Sequence, residues 1–67
     1  MITGVVADFD EARGDGWLTA DDGTSFYFHC VVIADGTRTI PVGANVVARR
    51  AVGHLGRDEA TDVQVAA

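Results

Sequence analysis

Residues 13–29 read Arg-Gly-Asp-Gly-Trp-Leu-Thr-Ala-Asp-Asp-Gly-Thr-Ser-Phe-Tyr-Phe-His. Asp22-Gly23 favours a tight turn with positive φ, so the flanking residues are predicted to form an antiparallel hairpin. Because neighbours along a strand point to opposite faces, alternation divides the side chains into two sets. The inward set is Leu18, Phe26 and Phe28. The outward set, here named the aromatic face, is Asp15, Trp17, Tyr27 and His29. Since the inward set already supplies the core, we expect function on the aromatic face.

Turn signals containing glycine divide the rest of the chain into short apolar segments rich in β-branched and aromatic residues. None of these segments shows a sustained period of about 3.6 residues, so strands are predicted rather than helices. The predicted strands are Ile2–Asp10, Trp17–Ala20, Ser25–His29, Asn45–Val52 and Ala60–Val65.

Five short strands in 67 residues favour an all-β fold, a five-stranded antiparallel barrel of the OB type, with an SH3-like barrel as the main competitor. Residues 1–67 are predicted to form a single domain. The segment from Cys30 to Ile33 is expected to be a buried turn, with one turn of 3₁₀ helix and Ile33 inward. The stretch 34–43 is then the long exposed connection.

In the fourth predicted strand, the sequence does not decide which side chains point inward. Alternation leaves two sets, Val46, Ala48 and Arg50 or Val47, Arg49 and Ala51. A β-bulge near Arg49 and Arg50 would turn both arginines outward.

Composition limits the partners and the cell compartment. Ten acidic residues against five arginines and no lysine give a formal net charge of −5, which argues against a polyanionic partner unless one face is locally favourable. The single Cys30 excludes an intramolecular disulfide. The chain contains no apolar run of membrane-spanning length and no basic start typical of a signal peptide, so a cytoplasmic protein without membrane contact is expected.

The ordered blocks of the chain resemble the bacterial cold-shock proteins, which are OB-fold barrels that bind single-stranded RNA and DNA. The resemblance covers the whole length, and its two central blocks are similar to the two RNP motifs of that family. The blocks are Thr3-Gly4-Val5-Val6 with Phe9, Arg13-Gly14-Asp15-Gly16-Trp17-Leu18, Asp21-Asp22-Gly23, and Phe26-Tyr27-Phe28-His29.

The resemblance implies binding of single-stranded nucleic acid by base stacking, without catalysis or a cofactor, as in an RNA chaperone. Trp17 and Tyr27 stand at positions of base-stacking phenylalanines, and His29 stands at a histidine on the same surface. Phe9 matches an aromatic residue at the edge of that surface. The remaining implied contacts are basic: Arg13 near the backbone path, and Arg38 and Arg57 in flanking loops.

Three departures from the family pattern fall on the binding face. Asp8 and Asp15 occupy positions where the family has aromatic rings, and Cys30 replaces a phenylalanine. Each base–aromatic stack contributes about 1–3 kcal/mol, so the resemblance implies weak binding with little sequence preference. The two carboxylates also motivate an alternative, a module whose acidic face binds a basic protein surface or forms a homodimer.

Other reactive side chains do not form a recognisable site. The aspartates near the turns lack the spacing of an EF-hand, so no metal is expected. Cys30 follows His29 directly, but no third group accompanies the pair, so no catalytic residue is predicted. His54 is expected to be a solvated turn residue.

Overall fold

The computed structural model describes residues 1–53 and 56–66, so the prediction for His54 lies outside the described residues. All five predicted strands are confirmed, with the second and fifth each beginning two residues earlier than expected. Their bounds are β1 Ile2–Asp10, β2 Asp15–Ala20, β3 Ser25–His29, β4 Asn45–Val52 and β5 Asp58–Val65. A single turn of 3₁₀ helix, Cys30–Val32, follows β3. Within the described ranges, no helix is long and apolar enough to cross a membrane.

The strands close into a barrel in the order β1-β2-β3-β5-β4, with β4 pairing back onto β1. This arrangement is consistent with the predicted OB-type barrel. The expectation that all strands are antiparallel is wrong, because β3 and β5 run parallel, with Tyr27 opposite Glu59. Strand directions cannot alternate all the way around a closed ring with an odd number of strands. One neighbouring pair must therefore be parallel.

The interior of the barrel is filled by side chains from every strand and from the connection after the 3₁₀ turn. The inward set of the hairpin is confirmed, since Leu18 and Phe28 are fully buried and Phe26 nearly so. The other buried residues are Ile2, Val6, Ile33, Ile40, Val46, Ala48, Ala60 and Val63. The segment from Cys30 to Ile33 is less buried than predicted. Ile33 points inward, but Val31 is exposed.

A β-bulge in each of two strands sets which side chains face outward. Between β4 and β5 the register shifts between Val47 and Arg49, where two steps along β4 match three along β5, so the extra residue lies in β5. The expected bulge in β4 that would turn both arginines outward is therefore absent from this pairing. The alternation of β4 continues, with Val46 and Ala48 buried and Arg49 outward, while Arg50 pairs with the buried Ala60 and is exposed near the end of the strand. In β1 a shift between Val6 and Asp8 was not predicted. Because a bulge inserts one residue, it reverses the alternation that follows. Asp8 is consequently exposed, whereas Phe9 packs against the core.

Gly16 lies on the inner side of β2, opposite Phe9 of β1 and Phe28 of β3. The two phenylalanine rings stack with centroids 5.9 Å apart and an angle of 13° between their planes. A Cβ atom at Gly16 would lie only 2.2 Å from the backbone oxygen of Asp8. The absence of a side chain at Gly16 therefore allows β1 to approach β2 closely beside the stacked rings.

Replacing Gly16 with alanine is expected to destabilise the protein by about 1–3 kcal/mol or more, because the backbone of β1 would have to move away from β2. Ser25→Ala, an exposed change at the start of β3, is the matched control and should alter stability by less than about 0.5 kcal/mol. Urea unfolding followed by circular dichroism measures both. Equal stability of the two variants would show that β1 and β2 do not depend on this close approach.

Candidate functional site

Two aromatic rings lie side by side on the outer surface of the hairpin. Trp17 and Tyr27 are directly opposite each other on β2 and β3, with ring centroids 5.6 Å apart and an angle of 74° between the ring planes. This edge-to-face geometry is favourable for aromatic pairs. Trp17 is 39% exposed although it lies in the middle of the hairpin. The predicted aromatic face is therefore present, with Trp17 exposed and Tyr27 half-buried.

Asp15 holds the Tyr27 side chain in place. The Tyr27 hydroxyl donates a hydrogen bond to Asp15 Oδ2 over 2.7 Å, and Arg13 Nη2 lies 3.2 Å from the same oxygen. The Asp15 side chain is only 12% exposed. The hydrogen bond to this carboxylate is the main cause that raises the pKa of Tyr27 above its usual value of 10.0, and partial burial adds to it. Asp15 thus acts as an internal acceptor for the aromatic face.

One face of the Tyr27 ring is covered by a cation from the same chain. Arg57 Cζ lies 4.3 Å from the centroid of the ring, a distance typical of a cation–π contact. Arg57 Nη2 is also 3.4 Å from Glu59 Oε2, and Glu59 is the residue opposite Tyr27 on β5. The predicted site residue Arg57 therefore does flank the aromatic face, but its guanidinium already contacts Tyr27.

Asp8 lies on the other side of Trp17. It is the residue directly opposite Trp17 on β1, and it is exposed. Asp10, two residues further along β1, accepts hydrogen bonds from the backbone N–H groups of Ala12 and Arg13 and so shapes the β1–β2 turn. In the described part of the chain the Asp8 carboxylate has no comparable hydrogen bond or ion pair.

His29 is exposed at the end of β3, as predicted, and it caps the 3₁₀ turn. Its Nδ1 accepts a hydrogen bond from the backbone N–H of Val31 over 3.3 Å. Cys30 Sγ lies 3.8 Å from the same nitrogen, at the long end of contacts to sulfur. Residues 29 and 30 meet because the strand ends at His29 and the 3₁₀ turn begins, so the strand alternation that would separate them no longer applies. Cys30 itself is half-buried.

Arg38 lies in the exposed connection and has a positive φ of 59°. Thr37 and Asp35 shape this segment, since the Thr37 backbone N–H and hydroxyl donate to Asp35 Oδ1 and thereby lower the pKa of that carboxyl. Thr39 donates to Glu11 Oε1 over 3.0 Å, which holds the connection against the β1–β2 turn. This contact brings the segment carrying Arg38 to the end of the hairpin where Arg13 lies.

Two groups of residues do not join the aromatic face. Phe9 stacks on the buried Phe28, so it supports the face from below rather than extending it. Arg49 and Arg50 are exposed on β4, where Arg49 pairs with Asp62 at 3.4 Å and Arg50 pairs with Asp58 at 2.8 Å. Of the predicted site residues, Trp17, Tyr27, His29, Arg13 and Arg57 come together around one surface.

Sequence reasoning missed two features of this surface. The role of Asp15 as acceptor for Tyr27 had a weak signal, because residues on a diagonal across two paired strands are within reach of long side chains. The position of Glu59 beside Tyr27 had no signal in the sequence, since it depends on the parallel pairing of β3 with β5. Over the described residues, no group of three or more His, Cys, Asp or Glu side chains is arranged to hold a metal ion.

No family model matches this chain, and no curated protein matches it.

The hydrogen bond to Asp15 gives a testable pH dependence. Tyr27 is the only tyrosine, so ultraviolet absorbance of phenolate reports it alone. Because its pKa is raised in the folded protein, the stabilisation is fully present below about pH 10 and is lost as the pH rises through the folded pKa. We expect an ionisation midpoint above 10 in the native protein and stability that declines above pH 10.

Tyr27→Phe removes the hydroxyl and keeps the ring. The variant is expected to lose about 1 kcal/mol of stability at neutral pH, because Asp15 loses one partner while remaining close to Arg13. It should also lose the part of the alkaline decline that arises from Tyr27. In the parent protein, an ionisation midpoint of Tyr27 at the ordinary tyrosine pKa would contradict its hydrogen bond to Asp15.

Proposed function

We propose that this protein binds single-stranded RNA or DNA weakly, with unpaired bases stacking on the aromatic face. The observation that supports this best is the exposure of Trp17, a large ring in the middle of a sheet whose opposite side already fills the core. Bases of any type present a flat π-face, so an exposed indole ring is a general surface for stacking. Barrels of the OB type use this part of their surface for oligonucleotides in other proteins.

Trp17 and Tyr27 have different neighbours, so they differ in how much each can contribute to the free energy of binding. Trp17 offers a ring for direct stacking, worth about 1–3 kcal/mol per base. Tyr27 has Arg57 over its ring, so a base arriving on that side would stack on the guanidinium plane, which nucleic-acid-binding proteins also use. Arg38 on the adjacent connection supplies positive charge for phosphates, and Arg13, whose charge is paired with Asp15, adds hydrogen-bond donors. The affinity is therefore expected to be modest.

Carboxylates reduce this affinity, but less than the net charge of −5 suggests. Asp15 is nearly buried and lies beside Arg13, and Glu59 lies beside Arg57. The charges of those two acids are thus largely balanced locally. Since interactions between exposed charges fade beyond a Debye length of about 8 Å at physiological salt, local balance matters more than the sum over the chain.

Binding of this kind needs no chemical step. A protein that captures unpaired bases lowers the free energy of the open strand, and mass action then shifts weak hairpins towards the open form. Catalysis is not part of the proposal, and no cofactor is required. The proposed ligand is a short unpaired segment contacting Trp17 and Arg57.

Trp17 is the only tryptophan, so its fluorescence tests the proposal directly. Titration with oligo-dT or oligo-U at low salt should give saturable quenching. Added salt should weaken the binding with a slope of log K against log salt of about −0.7 for each neutralised phosphate. If Trp17 fluorescence is not quenched up to high micromolar oligonucleotide, the proposal is wrong.

Trp17→Ala is expected to weaken binding by about 1–3 kcal/mol, measured by anisotropy of a labelled oligonucleotide. Val31→Ala is the matched control, because Val31 is an exposed apolar residue in the 3₁₀ turn rather than on the hairpin. The control should bind as the parent does. Equal losses in both variants would place the binding site elsewhere.

A second candidate function is a protein-interaction or self-association module, and the contact of Arg57 with Tyr27 favours it. That contact shows a guanidinium accommodated between an aromatic ring and the Glu59 carboxylate. An arginine from a basic partner or from a second copy could use Trp17 and Asp8 in the same way. Sedimentation at several concentrations and titration with an arginine-rich peptide test this candidate. A protein that stays monomeric at every concentration and does not bind the peptide would exclude this candidate.

A further inference from the structure

The carboxylate of Asp8 has a defined position relative to the proposed stacking site. Asp8 and Trp17 are paired directly across β1 and β2, and both are exposed. Side chains paired in this way lie on the same face of the sheet, with Cβ atoms about 4.5–5.5 Å apart. A base stacked on the indole ring is wide enough that its edge extends over the neighbouring strand. Asp8 is therefore placed at the edge of such a base.

An ionised carboxylate can only accept hydrogen bonds, so it distinguishes base edges by the donors they carry. Guanine has two adjacent donors, N1–H and the N2 amino group, which match the two oxygens of a carboxylate. Adenine and cytosine each offer one amino group next to a ring nitrogen acceptor. Uracil and thymine offer a single N–H between two carbonyl oxygens, which a carboxylate repels.

The opposite side of Trp17 carries the complementary chemistry. Tyr27 is the residue paired with Trp17 on β3, and the Arg57 guanidinium lies over its ring, with Cζ 4.3 Å from the centroid. Guanidinium groups donate hydrogen bonds, and guanine O6 and N7 are the acceptors that arginine most often recognises. Among the four bases, guanine alone combines a pair of donors on one edge with a pair of acceptors on another. Across the three strands, Asp8 offers an acceptor and Trp17 a ring for stacking. The Arg57 guanidinium over Tyr27 offers donors on the other side.

We propose that Asp8 determines base preference at the stacking site, so that the base on Trp17 is a guanine in preference to uracil or thymine. This inference rests on the proposed function, since it names the base that the same site selects. It also assigns a role to a residue that would otherwise only repel phosphate. The same Asp8 carboxylate has two effects: its negative charge weakens binding of any nucleic acid, and its two oxygens accept the two donors of guanine.

The size of the preference follows from the exposure of the site. A good pair of parallel hydrogen bonds between a side chain and a base edge discriminates strongly against the wrong base in a closed groove. At an exposed face water competes for the same donors, so a lower value applies. We expect about fivefold to tenfold tighter binding for a guanine than for a thymine at the stacked position.

The experiment compares heptanucleotides that differ only at the centre. The protein is titrated with a heptamer of thymidylate and with four relatives in which the central base is guanine, adenine, cytosine or hypoxanthine. Dissociation constants, rather than quenching amplitudes, are compared, because bases differ in their ability to quench indole. The guanine oligomer should bind most tightly. Hypoxanthine lacks the N2 amino group, so its oligomer should lose most of the guanine advantage.

Asp8→Asn tests whether the preference comes from Asp8. The variant keeps the size of the side chain but replaces one acceptor oxygen with a donor, so the ratio between guanine and thymine should fall to about twofold or less. Asp21→Asn is the matched control, since it removes the same charge at the exposed turn of the hairpin, away from Trp17. The control should keep the ratio of the parent protein. Circular dichroism confirms that both variants are folded.

The outcomes separate the two proposals. Equal binding of all five oligomers by the parent protein would overturn the base preference and leave the proposed function standing. An Asp8→Asn variant that binds every oligomer more tightly by the same factor would show that Asp8 acts only through phosphate repulsion, which also overturns the inference. No binding of any oligomer would remove the proposed function together with the preference.

Discussion

The pairing register between β2 and β3 is the constraint on which the rest of the structure depends. Trp17 faces Tyr27 and Leu18 faces Phe26 across the hairpin, so one set of rings is outside and the other inside. A slip of one residue would exchange the two faces completely. Because Phe28 and Leu18 are fully buried, the cost of exposing them holds the register in place. The exposed rings are therefore positioned by the buried ones.

Closure of the barrel adds a second set of constraints. With five strands in a ring, one neighbouring pair has to be parallel, and the structure places this pair at β3 and β5. That pairing brings Glu59 beside Tyr27 and Arg57 over its ring. The bulge in β1 has an equally local effect, because it reverses the alternation and turns Asp8 outward beside Trp17. The composition of the aromatic face thus depends on contacts between strands distant in sequence.

The acidic residues on this face do not all act alike. Asp15 is a structural acceptor, since it receives the Tyr27 hydroxyl and lies near Arg13 with little exposure to water. Glu59 is balanced by Arg57. Asp8 remains exposed and directly opposite Trp17, where it can meet a ligand. Local pairing, rather than the net charge, determines which carboxylate on this face has no counterion among the described residues.

The sequence by itself determined the five strands, the hairpin register and the inward residues of the hairpin, whereas the inward side of β4 was settled only by its pairing with β5. The first three features follow from local alternation and turn chemistry, which involve residues near one another in the chain. Only the tertiary structure decided the parallel pair, the inward turn of Phe9 and the stacking of Arg57 on Tyr27. Each of these depends on ring closure or on a bulge that local sequence does not mark. The aromatic residues could be read from the chain, but their partners required the closed barrel.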